Sequence, residues 1–314
     1  MDDRLVTLFG GGGFLGRYVA QHIFGSGRTT RVRVAQRDPR RAYFLKPLGA
    51  VGQAQFAAVD ITDRDRVAAA VRGSDAVVNL VGVFGGKMQR VHVDGARNIA
   101  EACAEAGVSS LVHVSAIGAD PLSKSDYGRT KGEGEEAVRA AFPGATILRP
   151  SILFGREDNF VNRFAGLARM TPVLPVIRPT VKLQPVYCGD VARAVTAAAL
   201  DSRTHSARTY ELGGPQVLTM RELMEWICRT TGRERILVDV PDGIAGAMAG
   251  LFGWLPGAPL TWDQWLMLQS DNRVGDGADG LEAFGIMPTP LAAVSEGWLT
   301  SYRRHGRFAA KSPY

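Results

Sequence analysis

Short apolar runs alternate with segments of helical periodicity along the first half of the chain. Continuous apolar runs are typical of parallel strands buried on both faces, whereas apolar positions three and four residues apart predict helices. The predicted strands cover residues 5–9, 31–36, 55–59, 76–81, 111–114 and 146–148, and the predicted helices cover 14–24, 89–106 and 127–141. This order predicts an α/β fold with a doubly wound parallel sheet and right-handed helical crossovers.

The pattern becomes less regular after residue 150. Prolines interrupt the next stretch, where we expect loops, at Pro172, Pro175, Pro179 and Pro185. A strand-turn-helix pattern returns over residues 186–200, and a brief strand is predicted at 210–212. An amphipathic helix is predicted over 220–231, because apolar positions recur on one face and Gly232 follows.

These patterns predict two parts of unequal regularity. We expect a first domain at residues 1–150 and a C-terminal part at 151–314. About 183–213 of that C-terminal part is expected to return to the central sheet, and the remainder to form a smaller lobe. The chain shows no clean linker near residue 150, so we expect the two parts to be interleaved.

Composition and charge narrow the class of protein. Hydrophobic residues make up 46% of the 314 residues, which is ordinary for a folded soluble protein. The three cysteines lack redox or metal-ligand spacing, so we expect a reducing, cytoplasmic compartment and no metal site. The net charge is +6, but no basic run with interleaved aromatic residues indicates nucleic-acid binding. Because Met1–Arg4 leads directly into a strand, we also expect no signal peptide.

Two segments of the C-terminal part allow a docking role. The longest apolar run, residues 244–255, is too short and too rich in glycine to cross a bilayer, which needs about 20 residues. It either packs in the core or lies on a membrane or partner surface, and we expect the core. The basic cluster at residues 303–307 is either a solvated terminus or a docking tail.

A glycine-rich turn follows the first predicted strand and opens the first predicted helix. Its spacing is Gly10-x-x-Gly13-x-x-Gly16. In such turns the glycines permit the tight bend, the approach of a pyrophosphate and the close packing of helix and strand, while the helix N-terminus attracts phosphate. We therefore predict a dinucleotide-binding Rossmann domain. The predicted contacts in the turn are Gly10, Gly12, Gly13, Phe14, Leu15 and Gly16.

The end of the second predicted strand discriminates between NAD and NADP. An acidic residue at this point binds the ribose 2′-hydroxyl, whereas an arginine accommodates a 2′-phosphate. Arg37 occupies the position, with Arg40 and Arg41 nearby, so NADP(H) is favoured over NAD(H). Asp38 comes slightly late for the ribose and is expected to cap the helix that starts at Pro39.

The ends of the third and fourth predicted strands supply further candidates. Asp60 can accept the adenine amino group or cap the helix that follows, and Ile61 lies beside it. At the end of the fourth strand, small and apolar residues let a cofactor lie close to the backbone. The predicted contacts there are Leu80, Val81 and Gly82.

A serine, a tyrosine and a lysine form the candidate catalytic group. Ser115 follows the fifth predicted strand, and Tyr127 and Lys131 are four residues apart, hence on one face of a helix. A lysine ammonium lowers the pKa of a nearby phenol by stabilising the phenolate. Such a tyrosine can transfer a proton to or from a carbonyl or hydroxyl oxygen while hydride moves to or from nicotinamide. We expect Ser115 to orient the substrate oxygen and Lys131 also to hold the nicotinamide ribose.

Together these motifs resemble the short-chain dehydrogenase/reductase superfamily in its extended or atypical form. The glycine turn, Asp60, Ser115, the Tyr127–Lys131 pair and Arg149-Pro150 occur in the order of that superfamily. The resemblance covers nearly the whole chain and adds Pro150 to the expected cofactor contacts. Further similarity lies in the segments 184–192 and 210–215.

Other segments are similar to a narrower group, the nucleotide-binding Rossmann accessory subunit of respiratory complex I and its bacterial relatives. They are residues 113–120, 149–155, 260–264 and 271–272. This resemblance implies a tightly held NADPH, bound for structure rather than turnover beside the quinone region. It also implies complex I subunits and the membrane edge as partners, and peripheral binding on the cytoplasmic face of the inner membrane.

Two departures from the superfamily pattern bear on turnover. Phe9 stands where many members have threonine, and His92 stands where active members often carry an asparagine that helps hold a relay water. His92 either substitutes for that asparagine or packs there. Three functions therefore stay open. The first is an accessory or assembly protein with a structural cofactor, and the second is an active NAD(P)-dependent oxidoreductase or epimerase that uses Tyr127 on a small carbonyl or nucleotide-linked substrate. The third is a regulator that senses the NADP redox state without chemistry, which the sequence does not separate from the first.

Overall fold

The computed structural model describes residues 4–26, 29–255, 258, 260–304 and 306. Met1–Asp3, on which the expectation of no signal peptide depends, and His305 and Arg307 of the basic cluster lie outside these ranges. The strands are β1 (Arg4–Phe9), β2 (Thr30–Gln36), β3 (Ala54–Ala58), β4 (Ala76–Asn79), β5 (Ser110–Val114), β6 (Thr146–Pro150), β7 (Leu153–Phe154), β8 (Val173–Ile177), β9 (Lys182–Leu183), β10 (Val186–Tyr187), β11 (Thr209–Leu212), β12 (Leu218–Thr219) and β13 (Ile236–Val240). The helices are α1 (Phe14–Gly25), α2 (Arg64–Val71), α3 (Gly95–Glu105), α4 (Asp126–Ala141), α5 (Val161–Met170), α6 (Cys188–Leu200), α7 (Ser202–His205), α8 (Met220–Thr230), α9 (Asp242–Phe252), α10 (Trp262–Met267) and α11 (Leu291–Leu299).

The first of two compact units contains a seven-stranded sheet. It comprises the described residues of Met1–Pro150, Cys188–Leu212 and Gly275–Met287. The strand order is β11-β6-β5-β4-β1-β2-β3, and all neighbours are parallel. The chain runs outward from β1 to β3, returns to β4 and then runs outward in the opposite direction. This confirms the predicted doubly wound α/β fold, whose switch point lies between β1 and β4.

Helices cover both faces of this sheet. On one face, α2, α3 and α4 pack over Phe9, Val77 and Leu111, which belong to one continuous buried cluster with Val67 and Ile99. On the other face, α1 packs against α6, and α6 contacts β4 and β5. Because both faces are covered, the strands are apolar on both sides, which explains their lack of strict alternation.

The helix predicted over residues 89–106 differs in its first part. Residues Gln89–Asp94 form a π-helical turn, and α3 begins only at Gly95, whose N–H donates to the Arg90 carbonyl oxygen. The wide turn directs the His92 carbonyl toward α4, where a Cβ atom on Gly134 would lie 2.2 Å from that oxygen. Such turns are frequent at functional sites.

The second unit comprises the described residues of Ser151–Tyr187, Gly213–Val274 and Pro288–Tyr314. Its two-stranded sheets pair β7 with β10, β8 with β13 and β9 with β12. Helix α5 packs against α8 over a core that includes Val161, Leu174 and Leu223. The expectation of loops alone around the prolines was wrong, since Pro175 lies within β8. That strand pairs only with β13 among the described residues, and an edge strand tolerates proline.

The apolar run at residues 244–255 lies mainly on the surface, so the expectation of a core position was wrong. Leu251, Phe252 and Trp254 are 67%, 55% and 76% exposed, and Ile244 is 54% exposed. Only the small residues of α9, such as Ala245, are buried. No helix in the described ranges is both long and apolar enough to cross a bilayer.

Candidate functional site

The glycine turn connects β1 to α1 through a conformation that requires glycine. Gly10 has a φ of +82°, in the left-handed region. The Gly13 N–H donates to the Gly10 carbonyl at 2.9 Å and closes the turn. A Cβ atom on Gly16 would lie 2.5 Å from the same carbonyl oxygen. The third glycine is therefore needed for α1 to pack against the turn.

The turn lies beside the chain that leaves β4. A Cβ atom on Gly10 would lie 3.3 Å from Val81 Cγ2 and 3.4 Å from the Leu80 carbonyl carbon. Gly82, the next residue, is exposed. The predicted contacts from the turn and from the end of β4 are thus brought together at the switch point of the sheet.

The start of α1 carries no compensating negative charge. Its N-cap is Gly13, no side chain among the described residues caps it, and its first turn contains no acidic residue. Phe14 is half-buried, and Leu15 is buried under the turn. A helix N-terminus without a side-chain cap presents N–H groups and a positive dipole end, which favour a phosphate.

Gln36 connects the glycine turn to the end of β2, and sequence reasoning missed it. The Gly12 N–H donates to Gln36 Oε1 at 3.0 Å, and Gln36 Nε2 donates to the Asp38 carbonyl at 2.6 Å. A Cβ atom on Gly12 would lie 2.4 Å from Gln36 Oε1. The available signal was its position as the last residue of β2, where an acidic side chain would bind the ribose.

The arginines after β2 are in different environments. Arg37 is exposed at the strand end. Arg40 forms an ion pair with Asp38, whose carboxylate also accepts the Arg40 N–H at 3.2 Å. Asp38 therefore caps the short 3-10 helix that begins at Pro39, as predicted. Hydrogen bonding to the Arg40 side chain lowers the pKa of Asp38.

Asp60 binds its own loop. Its Oδ1 atom accepts the Thr62 N–H at 3.0 Å and the Thr62 hydroxyl at 2.9 Å, and the backbone bond is the main reason that its pKa is lowered. The alternative that Asp60 caps the next helix was wrong, because Asp63 caps α2 through the Arg66 N–H. Ile61 is buried beside this loop.

Ser115 and Lys131 are both buried near the end of β5. Lys131 Nζ donates to the Val114 carbonyl at 3.0 Å. Burial lowers the pKa of Lys131 to about 8, against an opposing effect of the Glu135 carboxylate. Ser115 Oγ has no hydrogen-bond partner among the described residues. A Cβ atom on Gly82 would lie 3.7 Å from Lys131 Nζ, so this group adjoins the chain leaving β4.

Tyr127 lies in the first turn of α4 between two rings. Phe84 stacks on its face, with ring centroids 4.5 Å apart and planes inclined by 11°. His92 meets it edge to face at 5.6 Å. Sequence reasoning missed Phe84; the available signal was a lone aromatic residue in a loop rich in glycine.

The hydrogen bonds of His92 determine its protonation. Its Nε2 atom accepts the Val83 N–H at 3.0 Å, so the ring proton is on Nδ1, which donates to Thr130 Oγ1 at 2.9 Å. Burial and the positive charge of Lys131 lower the pKa of His92 to about 3. His92 is therefore neutral, and both ring nitrogens are bonded to protein.

Pro150 ends β6 and connects to the loop after Ser115. Its carbonyl accepts the Ile117 N–H at 3.1 Å. The preceding Arg149 binds the buried Glu135 carboxylate through Nε and Nη2, at 2.8 and 2.7 Å. Arg149 is thus part of an ion pair, and the Pro150 carbonyl holds the loop after Ser115.

The residues present fit a nicotinamide dinucleotide. The glycines permit close approach to the backbone at the switch point, where ligands of doubly wound sheets bind. The unpartnered Ser115 hydroxyl is a second indication, because a buried polar group without a partner costs about 1–3 kcal/mol. The described residues include no group of side chains suited to a metal ion.

Two family models match consecutive parts of the chain. The 3-beta hydroxysteroid dehydrogenase/isomerase family matches residues 6–121, and the RmlD substrate binding domain matches residues 118–242. Among solved structures, an NADPH-dependent quinone oxidoreductase from Escherichia coli, complexed with NADPH, superposes with a TM-score of 0.77. It is 20% identical, and the match covers 94% of this chain and 99% of that one. This similarity shows the NAD(P)-binding Rossmann-type fold.

Relatives identified by sequence are more similar to this chain in percentage identity. A ceramide reductase from Caulobacter vibrioides is 30% identical over 264 residues, covering 81% of this chain and 80% of the relative. The mitochondrial NADH dehydrogenase (ubiquinone) 1 alpha subcomplex subunit 9 of Mus musculus is 35% identical over 309 residues, covering 96% of this chain and 80% of the relative. The chain therefore belongs to the family of that complex I subunit, within the extended short-chain dehydrogenase/reductase superfamily.

Proposed function

We propose that this protein is an accessory or assembly subunit of an NADH:ubiquinone oxidoreductase and that it holds NADP(H) as a structural ligand. The family of the chain supports complex I as its partner, because the mouse relative is a subunit of that enzyme. The structural role of the cofactor rests on His92, whose two ring nitrogens are both bonded to protein. A neutral side chain without a free nitrogen cannot relay protons to Tyr127.

The preference for NADP(H) is supported by the end of β2. Gln36 is neutral, so no carboxylate at that position repels a 2′-phosphate. Arg37 is exposed beside it, whereas Arg40 is already paired with Asp38. Arg37 is therefore the residue we assign to the 2′-phosphate.

The other parts of the dinucleotide are assigned to the remaining predicted residues. We assign the pyrophosphate to the turn from Gly10 to Gly16 and the adenine to Asp60 and Ile61. The nicotinamide half of the dinucleotide is assigned to the remaining predicted residues, which are Leu80, Val81, Gly82, Ser115, Tyr127, Lys131 and Pro150. When bound, the dinucleotide supplies hydride chemistry. Lys131 would hold the ribose and stabilise a phenolate on Tyr127, and Ser115 would orient an oxygen.

Native purification tests this proposal. The tagged chain is isolated under mild conditions, its nucleotide is identified by mass spectrometry, and co-purifying proteins are determined. We expect NADPH to stay bound through gel filtration, to resist oxidation by added ketones or quinones, and to accompany complex I subunits. Rapid consumption of the reduced cofactor, or absence of complex I subunits, would contradict the proposal.

We further propose that α9 contacts the edge of the membrane on its cytoplasmic face. Large apolar side chains on α9 and just after it are exposed, including Leu251, Phe252 and Trp254. The second unit carries more Lys and Arg than Asp and Glu. Exposed apolar residues and positive charge together are typical of peripheral binding to anionic lipid.

Co-sedimentation with vesicles tests the membrane contact. We expect binding to vesicles that contain anionic phosphatidylglycerol, and weaker binding for the double variant Leu251→Ser, Phe252→Ser. The control is Val51→Ser in the first unit, since Val51 is likewise an exposed apolar residue. Equal sedimentation of the wild type and the α9 variant would contradict the contact.

An active reductase is the second candidate, and the unpartnered Ser115 hydroxyl beside Lys131 favours it. The relative named ceramide reductase supports the same reaction class. Under this alternative, a carbonyl substrate consumes NADPH and Tyr127→Phe abolishes the reaction. Exchange of the bound cofactor during turnover would separate it from a structural role.

A further inference from the structure

Phe84 lies in the loop after β4 and places its ring on the face of Tyr127. The planes are inclined by only 11° at a centroid distance of 4.5 Å, which is a stacked pair. Phe84 is nevertheless 69% exposed. A large apolar side chain that leaves most of its surface in solvent adds little to the core, so its position calls for another explanation.

The loop is attached to the helix that carries Tyr127. The Val83 N–H, next to Phe84, donates to His92 Nε2, and His92 Nδ1 donates to Thr130 on α4. Thr130 Oγ1 in turn donates to the Asp126 carbonyl at 2.7 Å. This chain of hydrogen bonds fixes the backbone beside Phe84 relative to the first turn of α4. The residue directly before the stacked ring is therefore anchored to α4.

The arrangement covers one face of the Tyr127 ring. To take a proton from Tyr127, a carbonyl oxygen must come within hydrogen-bond reach of the hydroxyl, about 2.6–3.2 Å. The ring already has Phe84 on one face and the edge of His92 beside it. Lys131 lies one turn further along the same helix, and Ser115 has an unpartnered hydroxyl. The groups for proton transfer are present, but a substrate cannot lie on the face that Phe84 occupies.

We infer that Phe84 is a specificity-determining residue that keeps carbonyl compounds away from Tyr127, and that the chain has a latent carbonyl-reductase activity. This inference rests on the proposed binding of NADP(H). In the reaction, the carbonyl carbon accepts hydride, with its electron pair, from the reduced nicotinamide dinucleotide. The carbonyl π bond breaks, and its oxygen takes the proton of the Tyr127 hydroxyl. The carbonyl becomes an alcohol, the dinucleotide is oxidised, and water reprotonates Tyr127.

Kinetics on the full chain give the first test. Phe84→Ala and Phe84→Leu are compared with the wild type and with Leu122→Ala, which removes another exposed apolar side chain of the same unit. Oxidation of NADPH by phenanthrenequinone is followed by nicotinamide fluorescence. We expect the alanine variant to react about tenfold faster or more, the leucine variant less so, and the control like the wild type. The double variant Phe84→Ala, Tyr127→Phe should return to the wild-type rate.

Chemical modification gives a second test that needs no cofactor. The protein without nucleotide is treated with tetranitromethane, and nitration of Tyr127 is quantified by mass spectrometry. Tyr43, which is 43% exposed, serves as the internal reference. We expect faster nitration of Tyr127 in Phe84→Ala and an unchanged rate in Leu122→Ala.

The inference requires that Phe84→Ala show both faster oxidation of NADPH and faster nitration of Tyr127. It is overturned if Phe84→Ala leaves Tyr127 nitration at the wild-type rate, or if nitration increases without carbonyl-dependent oxidation of NADPH. Failure of the proposed function is seen separately, as loss of nucleotide or of complex I subunits in native purification. That failure leaves the nitration comparison valid, because nitration is measured on the chain alone.

Discussion

The two halves of the candidate site, both at the carboxyl edge of the parallel sheet, are built on opposite principles. In the phosphate half, from Gly10 to Gly16, small residues leave backbone N–H groups and space for a ligand. In the tyrosine half, Lys131 already binds the Val114 carbonyl and His92 already binds Val83 and Thr130, so among these groups only the Ser115 hydroxyl has no hydrogen-bond partner in the described residues.

This difference separates binding from turnover within one fold. In the phosphate half, Gly12 and Gly13 hold the turn in shape through their own N–H groups, and the start of α1 has no side-chain cap, so its geometry favours affinity for a phosphate. The tyrosine half has satisfied most of its polar groups internally, so a reaction there must first break protein contacts. A dinucleotide can consequently be held firmly by the first half while the second contributes little chemistry.

The largest effect is expected from a substitution that disrupts the phosphate half. In Gly16→Val, the new Cβ atom would lie 2.5 Å from the Gly10 carbonyl, so α1 must move away from the turn. We expect a loss of NADPH affinity of about 100-fold or more, together with a lower melting temperature. Fluorescence titration with NADPH and circular dichroism measure the two effects. The matched control is Gly25→Ala at the other end of α1, where a Cβ atom meets nothing within 4 Å. Wild-type affinity in Gly16→Val would refute the role of this turn.

The next effect concerns the buried ammonium in the tyrosine half. Lys131 has a pKa of about 8 in the folded chain, against 10.5 for the free side chain. Below about pH 8, Lys131 is protonated in both the folded and the unfolded chain, so the penalty for burying its charge, about 3 kcal/mol, is fully present. Between pH 8 and 10.5 the unfolded chain binds more protons than the folded chain. The free energy of unfolding therefore rises with pH in this range. Urea unfolding of the protein without nucleotide should show the wild type gaining stability relative to Lys131→Met from about pH 8 to pH 10. Parallel curves for the two proteins would contradict a depressed pKa.

A smaller effect sharpens the assignment of the 2′-phosphate. Arg37→Ala removes a charged hydrogen-bond donor at the end of β2. Such bonds contribute about 1.5–3 kcal/mol, so we expect roughly a thirtyfold weaker binding of NADPH and little change for NADH. Titration with both nucleotides measures the ratio. Arg66→Ala is the control, because Arg66 is an exposed surface arginine that pairs with Asp63. Equal losses for both nucleotides would contradict the assignment.

Local spacing made the fold and the main candidates of the site predictable. The alternation of apolar runs with helical segments indicates a parallel sheet, and the spacing of Gly10, Gly13 and Gly16 depends only on neighbouring residues. The same holds for Tyr127 and Lys131, which are one helical turn apart. These features do not depend on tertiary contacts.

Gln36 and Phe84 were missed for a common physical reason. Each acts through a contact with a distant segment, Gln36 with Gly12 and Phe84 with Tyr127. A polar residue at a strand end and an aromatic residue in a loop are both common, so neither position is distinctive in sequence. The position of α9 was misjudged because hydropathy does not distinguish an apolar residue in the core from one exposed on a helix.

The smallest expected effect tests whether the tyrosine half is closed to proton relay. His92 has a pKa of about 3 in the folded chain because of burial and the nearby Lys131 charge, against 6.5 for the free side chain. Between these values the unfolded state binds more protons, so the wild type loses stability as the pH falls below about 6.5. His92→Asn does not titrate in this range, and its stability should fall less between about pH 6.5 and pH 5.5, by about 1 kcal/mol.

Urea unfolding at the two pH values measures this difference, and Gln89→Asn is the matched control. Gln89 lies in the same π-helical turn, is exposed and does not titrate, so its variant should follow the wild type. If wild type and His92→Asn lose stability in parallel, His92 accepts a proton in the folded chain without cost. The ring would then be free to relay protons to Tyr127, and the contrast between a binding half and a closed half would no longer hold.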